Sequence, residues 1–151
     1  MEYDSTADTL KHIRRVQHLL GDFAMEMIRR GQRHDDSKLS PEEKEHFDRE
    51  TPLLKNLTFG SPEYNESLAR LKPALEHHYA HNSHHPEHYK DGVNAMDLHD
   101  LIEMVHDWKA ASERQDNPDF RKSLNVCFKR FGIDGQLASI ITNHARREGW
   151  L

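Results

Sequence analysis

Apolar residues recur along most of this chain at three- and four-residue intervals, the period of a helix that buries one face. Leu10, Ile13, Val16, Leu20, Phe23, Ala24 and Met27 share one side of a helix predicted over 6–31, with Gly31 as its C-cap. Ser40-Pro41-Glu42-Glu43 has the form of a capping box with proline at the first helical position, so a second helix is predicted from 41 to about 57. Its main apolar contacts are Phe47 and Leu54, and its Glu/Lys run reads as a solvated face. Phe59-Gly60-Ser61-Pro62 breaks the chain, and Tyr64, Leu68, Leu71, Leu75 and Tyr79 then line one face of a helix over 62–82. Pro73 inside that run predicts a kink near 69–73.

Residues 83–95 carry Pro86 and Asp91-Gly92 and read as a loop. Leu98, Leu101, Ile102, Val105 and Trp108 form the core face of a helix over 97–115. Two further helices, 118–131 and 134–148, complete the core with Phe120, Leu124, Cys127, Phe128 and Phe131, then Leu137, Ile140 and Ile141. The pattern predicts an all-α fold of about five to seven helices in one domain spanning 1–151.

Composition narrows the function classes. Only 35% of residues are hydrophobic and 31% are charged, yet the order of the apolar positions speaks against disorder. A net charge of −5 argues against generic binding to duplex nucleic acid or an anionic membrane, both of which rest on basic excess. One cysteine, Cys127, excludes an internal disulfide and a cysteine-based zinc site. The N-terminus has no apolar signal segment and no stretch approaches about 18 apolar residues, so the expected location is the cytoplasm.

The candidate chemistry lies in His77–His88, HHYAHNSHHPEH, with six histidines in twelve residues. Its interior position and the interruptions at Tyr79, Asn82 and Pro86 distinguish it from a purification tag. Neutral imidazole is the commonest metal ligand, and mixed His/Asp shells suit Mn, Fe, Co, Ni or Zn better than an all-oxygen cage for Ca or Mg. On the projected wheel His78 falls with the apolar stripe and His77 turns away, which makes His78 the inward ligand and His77 the fallback. His84 and His85 lie on a loop that can reach over a helical site, and adjacent His34 and Asp35 can offer a nitrogen and an oxygen to one ion. His81 and His88 read as supporting or surface groups, and Glu87 as a ligand, a partner to a histidine or a solvated group. Asp100 and Asp107 flank a core stripe, where a carboxylate is costly to bury without a cation or donor; either can close the shell. His12 falls on the core side of the first helix and His18 on the outside. Lys38 adds a positive charge suited to a phosphate oxygen.

The order His12, His34-Asp35, His77/His78, His84-His85, Asp100 resembles the HD superfamily of metal-dependent phosphohydrolases. Within it the phrases HDDSKL, LKPALEHHYAHNSHHPEHY and DLIEMVHDWKAAS are similar to a small family of bacteria and their phages, over roughly 10–148. The resemblance implies an HD-type helical bundle in which His12, His34, Asp35 and Asp100 bind a first metal. His78 (or His77), His84 and His85 match the added histidines of two-metal members. It favours Asp100 over Asp107, because Asp-Leu in an apolar helix is similar to the closing phrase of the superfamily. HHPEHYKDG is also similar to a phrase of the cyclic-dinucleotide phosphodiesterases, but the Gly-Tyr-Pro that follows there is missing, so that substrate does not transfer.

The implied function is hydrolysis of a nucleotide or related small phosphate ester by a water activated on one or two divalent ions (Mn, Co, Ni, Zn or Fe, with Mg also accommodated). Asp35 and Lys38 are the expected catalytic residues, and a homodimer is consistent with the resemblance. Two other readings use the same ligands. One is a di-iron HD-type oxygenase, and the other is a metal- or nucleotide-binding protein without catalysis.

Overall fold

The computed structural model describes residues 3–57, 61–114 and 117–151. The breaking residues Phe59 and Gly60, and the predicted helix end at Gln115, lie outside them. The described residues are all-α: α1 (Thr6–Arg33), α2 (Pro41–Leu54), α3 (Pro62–His81), α4 (Leu98–Ser112), α5 (Phe120–Phe131) and α6 (Gly135–Arg147). Short 3-10 turns occupy Asp36–Leu39, Pro86–His88 and Gly92–Ala95. Among the described residues no helix is long and apolar enough to cross a membrane.

Contacts gather the chain into two units, Met1–His34 and Asp35–Leu151. The first is α1, which continues through the expected cap at Gly31 to Arg33 and leaves the helix at His34. The predicted apolar stripe is present in the sequence of α1, but none of its residues is buried. Leu20 is 64% exposed and Ile13 44%. A lone helix has no second layer within its own unit against which to bury a face.

In the second unit α2 and α3 pack against each other, and α4 packs against α5. Pro41 and Pro62 each sit in the first helical turn, where the missing N–H costs nothing. The Ser61 hydroxyl caps α3 by accepting from the Tyr64 N–H at 3.1 Å. Helix α3 runs unbroken through Pro73. The main apolar core joins Met104 and Val105 of α4 to Phe120 and Leu124 of α5, Ile133, and Ile141 and Ala145 of α6. Gly132 ends α5 with φ 64°, and the Ile133 N–H then returns to the Phe128 carbonyl at 2.9 Å, closing the last turn.

Two predicted core positions of this second unit point outward. Leu98 and Ile140 are 66% and 62% exposed. Leu98 opens α4, where the first turn has not yet entered the core, and Ile140 lies one residue off the buried line of Ile141 and Ala145.

A candidate metal centre

The residues that approach one another come from three places in the second unit. Asp35 follows the end of α1 and has φ 60° and ψ 16°, a left-handed conformation that no other described non-glycine residue shares. Aspartate tolerates this region better than most residues. His78 lies in the last turn of α3, and His84 and His85 follow in the loop beyond it. His78 and His84 are each 1% exposed.

One ligand atom from each of Asp35, His78, His84 and His85 lies within 4.8 Å of the others, so the group could hold a metal ion. His78 Nε2 is 2.9 Å from His85 Nε2 and 3.1 Å from Asp35 Oδ1, and His84 Nε2 is 3.5 Å from the same oxygen. Metal bonds of about 2.0–2.1 Å put neighbouring ligand atoms of a tetrahedral shell about 3.4 Å apart, and those of an octahedral shell about 3.0 Å apart. These three spacings lie close to those values.

The outer faces of the rings explain why these nitrogens point inward. His78 Nδ1 donates to Glu43 Oε2 at 3.0 Å, and His84 Nδ1 faces Glu103 Oε1 at 3.2 Å. A carboxylate on Nδ1 holds the proton there and leaves the Nε2 lone pair for a cation. Burial first, and then repulsion from His84 and His78, pushes His85 down to about 3, so its ring is neutral as a ligand requires. At Asp35 burial opposes ionisation. Contacts with His78 and His84 and the Lys38 ammonium outweigh it and hold the carboxyl well below the usual carboxylate range. Lys38 Nζ lies 2.5 Å from Asp35 Oδ2, the oxygen away from the two rings. A lone proton can serve one acceptor pair in such a cluster, whereas a divalent ion serves all four atoms.

Glu43 supports two neighbours at once. Its Oε1 accepts from His77 Nδ1 at 2.8 Å while Oε2 accepts from His78. Asn82 Nδ2 donates to Ser37 Oγ at 2.7 Å and to the His78 carbonyl at 2.8 Å, tying the end of α3 to the turn that follows Asp35.

The model of a family of unknown function, DUF5662, matches residues 1–147. The chain belongs to that family. No curated protein matches it, and no solved structure does.

Of the residues singled out in this DUF5662 chain, Asp35, His78, His84 and His85 come together. His77 turns to Glu43 and stacks on His81 with ring centroids 4.1 Å apart. Asp100 does not join the converging group. Its carboxylate accepts from the Ser83 and Tyr89 hydroxyls, because it sits in the first turn of α4 facing the start and end of the histidine loop. Asp107, two turns further along α4, is also outside the converging group but lies near its edge. A carboxylate oxygen lies within 4.8 Å of a His84 nitrogen, and its charge acts on His85. His12 and His34 belong to the other unit. His12 is exposed on α1, and His34 is half-buried at its C-terminal end. Glu87 forms an ion pair with Arg130 of α5 at 2.6 Å.

Glu43 and Glu103 escaped the reading from sequence. The expected capping box placed Glu43 at the helix start, but Ser40 makes no side-chain cap and Glu43 is fully buried. The reading of this helix as a solvated acidic face fails at Glu43 and Glu50. A usable signal existed: both fall on the same helical face as Phe47 and Leu54.

Proposed function

We propose that this chain is an HD-type, metal-dependent phosphohydrolase acting on a nucleotide or a related small phosphate ester. The observation that carries the reading is the convergence of three imidazole nitrogens and one carboxylate oxygen, with carboxylates behind two of the rings. The order of the ligands along the chain, His-Asp followed by spaced histidines, supplies the link to phosphoryl chemistry.

Asp35, His78, His84 and His85 would hold the ion, and a nitrogen-rich set of this kind favours Mn, Fe, Co, Ni or Zn over Mg. A bound divalent ion supplies Lewis acidity and a water that loses its proton near neutral pH. Glu43 and Glu103 keep the His78 and His84 rings turned toward it. Lys38, already against Asp35, offers a positive charge to a phosphoryl oxygen. Such a substrate would meet a protein of net charge −5, so local cations rather than the general surface must attract it.

The test is metal analysis of tag-free protein, followed by phosphate release from a panel of nucleotides. One or two equivalents of a transition metal, with turnover lost in Asp35→Ala, would support the proposal. Protein that neither carries nor takes up Mn, Co or Zn would overturn it. Two irons with oxygen consumption and no phosphate release would replace the hydrolase with an oxygenase.

A further inference from the structure

Asp100 is 3% exposed, and three donors converge on its carboxylate. The Ser83 hydroxyl donates to Oδ1 at 2.6 Å, and the Tyr89 hydroxyl donates to Oδ2 at 2.5 Å. The Asp97 N–H donates to Oδ2 at 3.3 Å, while the Asp97 carboxylate accepts the Asp100 N–H at 3.0 Å. This reciprocal capping box fixes Asp100 to the first turn of α4.

The two hydroxyls occupy particular places in the chain. Ser83 immediately precedes His84, and Tyr89 lies four residues beyond His85. One buried carboxylate therefore ties both ends of the 83–89 segment to the same helical turn. Between those ends, His88 Nδ1 donates to the Tyr79 carbonyl at 2.7 Å and Arg130 donates to Glu87 at 2.6 Å. One turn along α4 from Asp100, Glu103 meets the His84 ring. A loop can present two imidazoles to an ion only if its path is held to a fraction of an ångström.

We propose that Asp100 is a positioning residue, acting through Ser83 and Tyr89 to hold the His84–His85 segment where it can receive a metal ion. The proposal rests on the metal-binding reading of the cluster. It departs from the expectation that Asp100 is itself a ligand, and the two roles make different predictions.

The experiment loads Co(II) into the full chain and into Ser83→Ala/Tyr89→Phe, Tyr89→Phe and Asp100→Asn, recording affinity and visible absorption. None of the first two variants alters a ligand, so their Co(II) bands should match the wild type. The double variant should bind about 10- to 100-fold more weakly, the range typical of lost supporting contacts. Tyr89→Phe should fall between it and the wild type. Asp100→Asn, which keeps one acceptor oxygen, should keep the bands and lose affinity. Wild-type affinity in the double variant would overturn the proposal. So would shifted bands in Asp100→Asn, which would make Asp100 a ligand. Wild-type protein that takes up no Co(II) would instead remove the metal reading on which the proposal stands. Tyr89→Phe retains the ring and its packing, so it remains informative if Asp100→Asn fails to fold.

Discussion

A single buried carboxylate, Glu43, shows how much one side chain contributes to the candidate centre. It accepts from two adjacent histidines and so fixes which nitrogen of His78 faces Asp35. Glu43→Gln can still accept but no longer balances a cationic site, and metal affinity should fall about 10- to 100-fold with unchanged stoichiometry. Calorimetric titration would show this; unchanged affinity would make Glu43 a packing residue only. Glu50 lies on the same face with a different role. Hydrogen bonds from Arg70, Arg49 and Ser67 hold its carboxyl down at about 2. Because this value lies below its ordinary 4.5, the contribution of ionised Glu50 is complete above that pH and is lost as pH falls toward about 2. Glu50→Gln should therefore flatten the acid limb of the stability curve between those values, as followed by helical circular dichroism in metal-free protein. His78 was legible from the wheel because it shares the apolar stripe of α3, whereas the burial of Glu43 was not, since glutamate so often faces water.

At the scale of the element, the helices follow local signals and their exposed faces do not. Proline at the first turn, the Ser61 cap, the Asp97–Asp100 capping box and Gly132 mark the boundaries where the structure has them. Gly132 has φ 64°, so Gly132→Ala should cost about 1 kcal/mol by strain at the end of α5, readable in urea unfolding. Which apolar residue is buried depends on the neighbouring layer. Met104 is 1% exposed and Leu98 66%, although both belong to α4. Met104→Ala should cost about 2–5 kcal/mol, and Leu98→Ala should stay within about 0.5 kcal/mol. Equal losses would mean that Leu98 is covered in solution. Pro73 does not end its element: α3 is helical on both sides of that residue.

For the whole molecule the decisive quantity is linkage between the ion and folding. The four converging atoms come from residues 35, 78, 84 and 85, so an ion bound there closes long loops of the chain. A ligand that binds only the folded state stabilises by about 2.7 kcal/mol at a hundredfold excess over its Kd. Zn or Mn should accordingly raise Tm in a concentration-dependent way, and a chelator should reverse the rise. The same additions should leave the Tm of Asp35→Ala unchanged. A shift of equal size in that variant would place the ion elsewhere.

The sequence by itself determined the all-α class, the approximate helix limits and the presence of a histidine-rich centre. Those properties follow from periodicity, turn residues and ligand chemistry, all of which act over a few neighbouring positions. Tertiary structure alone decided that Asp100 accepts from the Ser83 and Tyr89 hydroxyls, that Glu43 and Glu103 back the rings of His78 and His84, and that the stripe on α1 has no buried residue. The reason is geometric. Two aspartates seven residues apart lie on nearly the same face of a helix, and only the loop folded against each turn determines whether it meets hydroxyls or imidazoles.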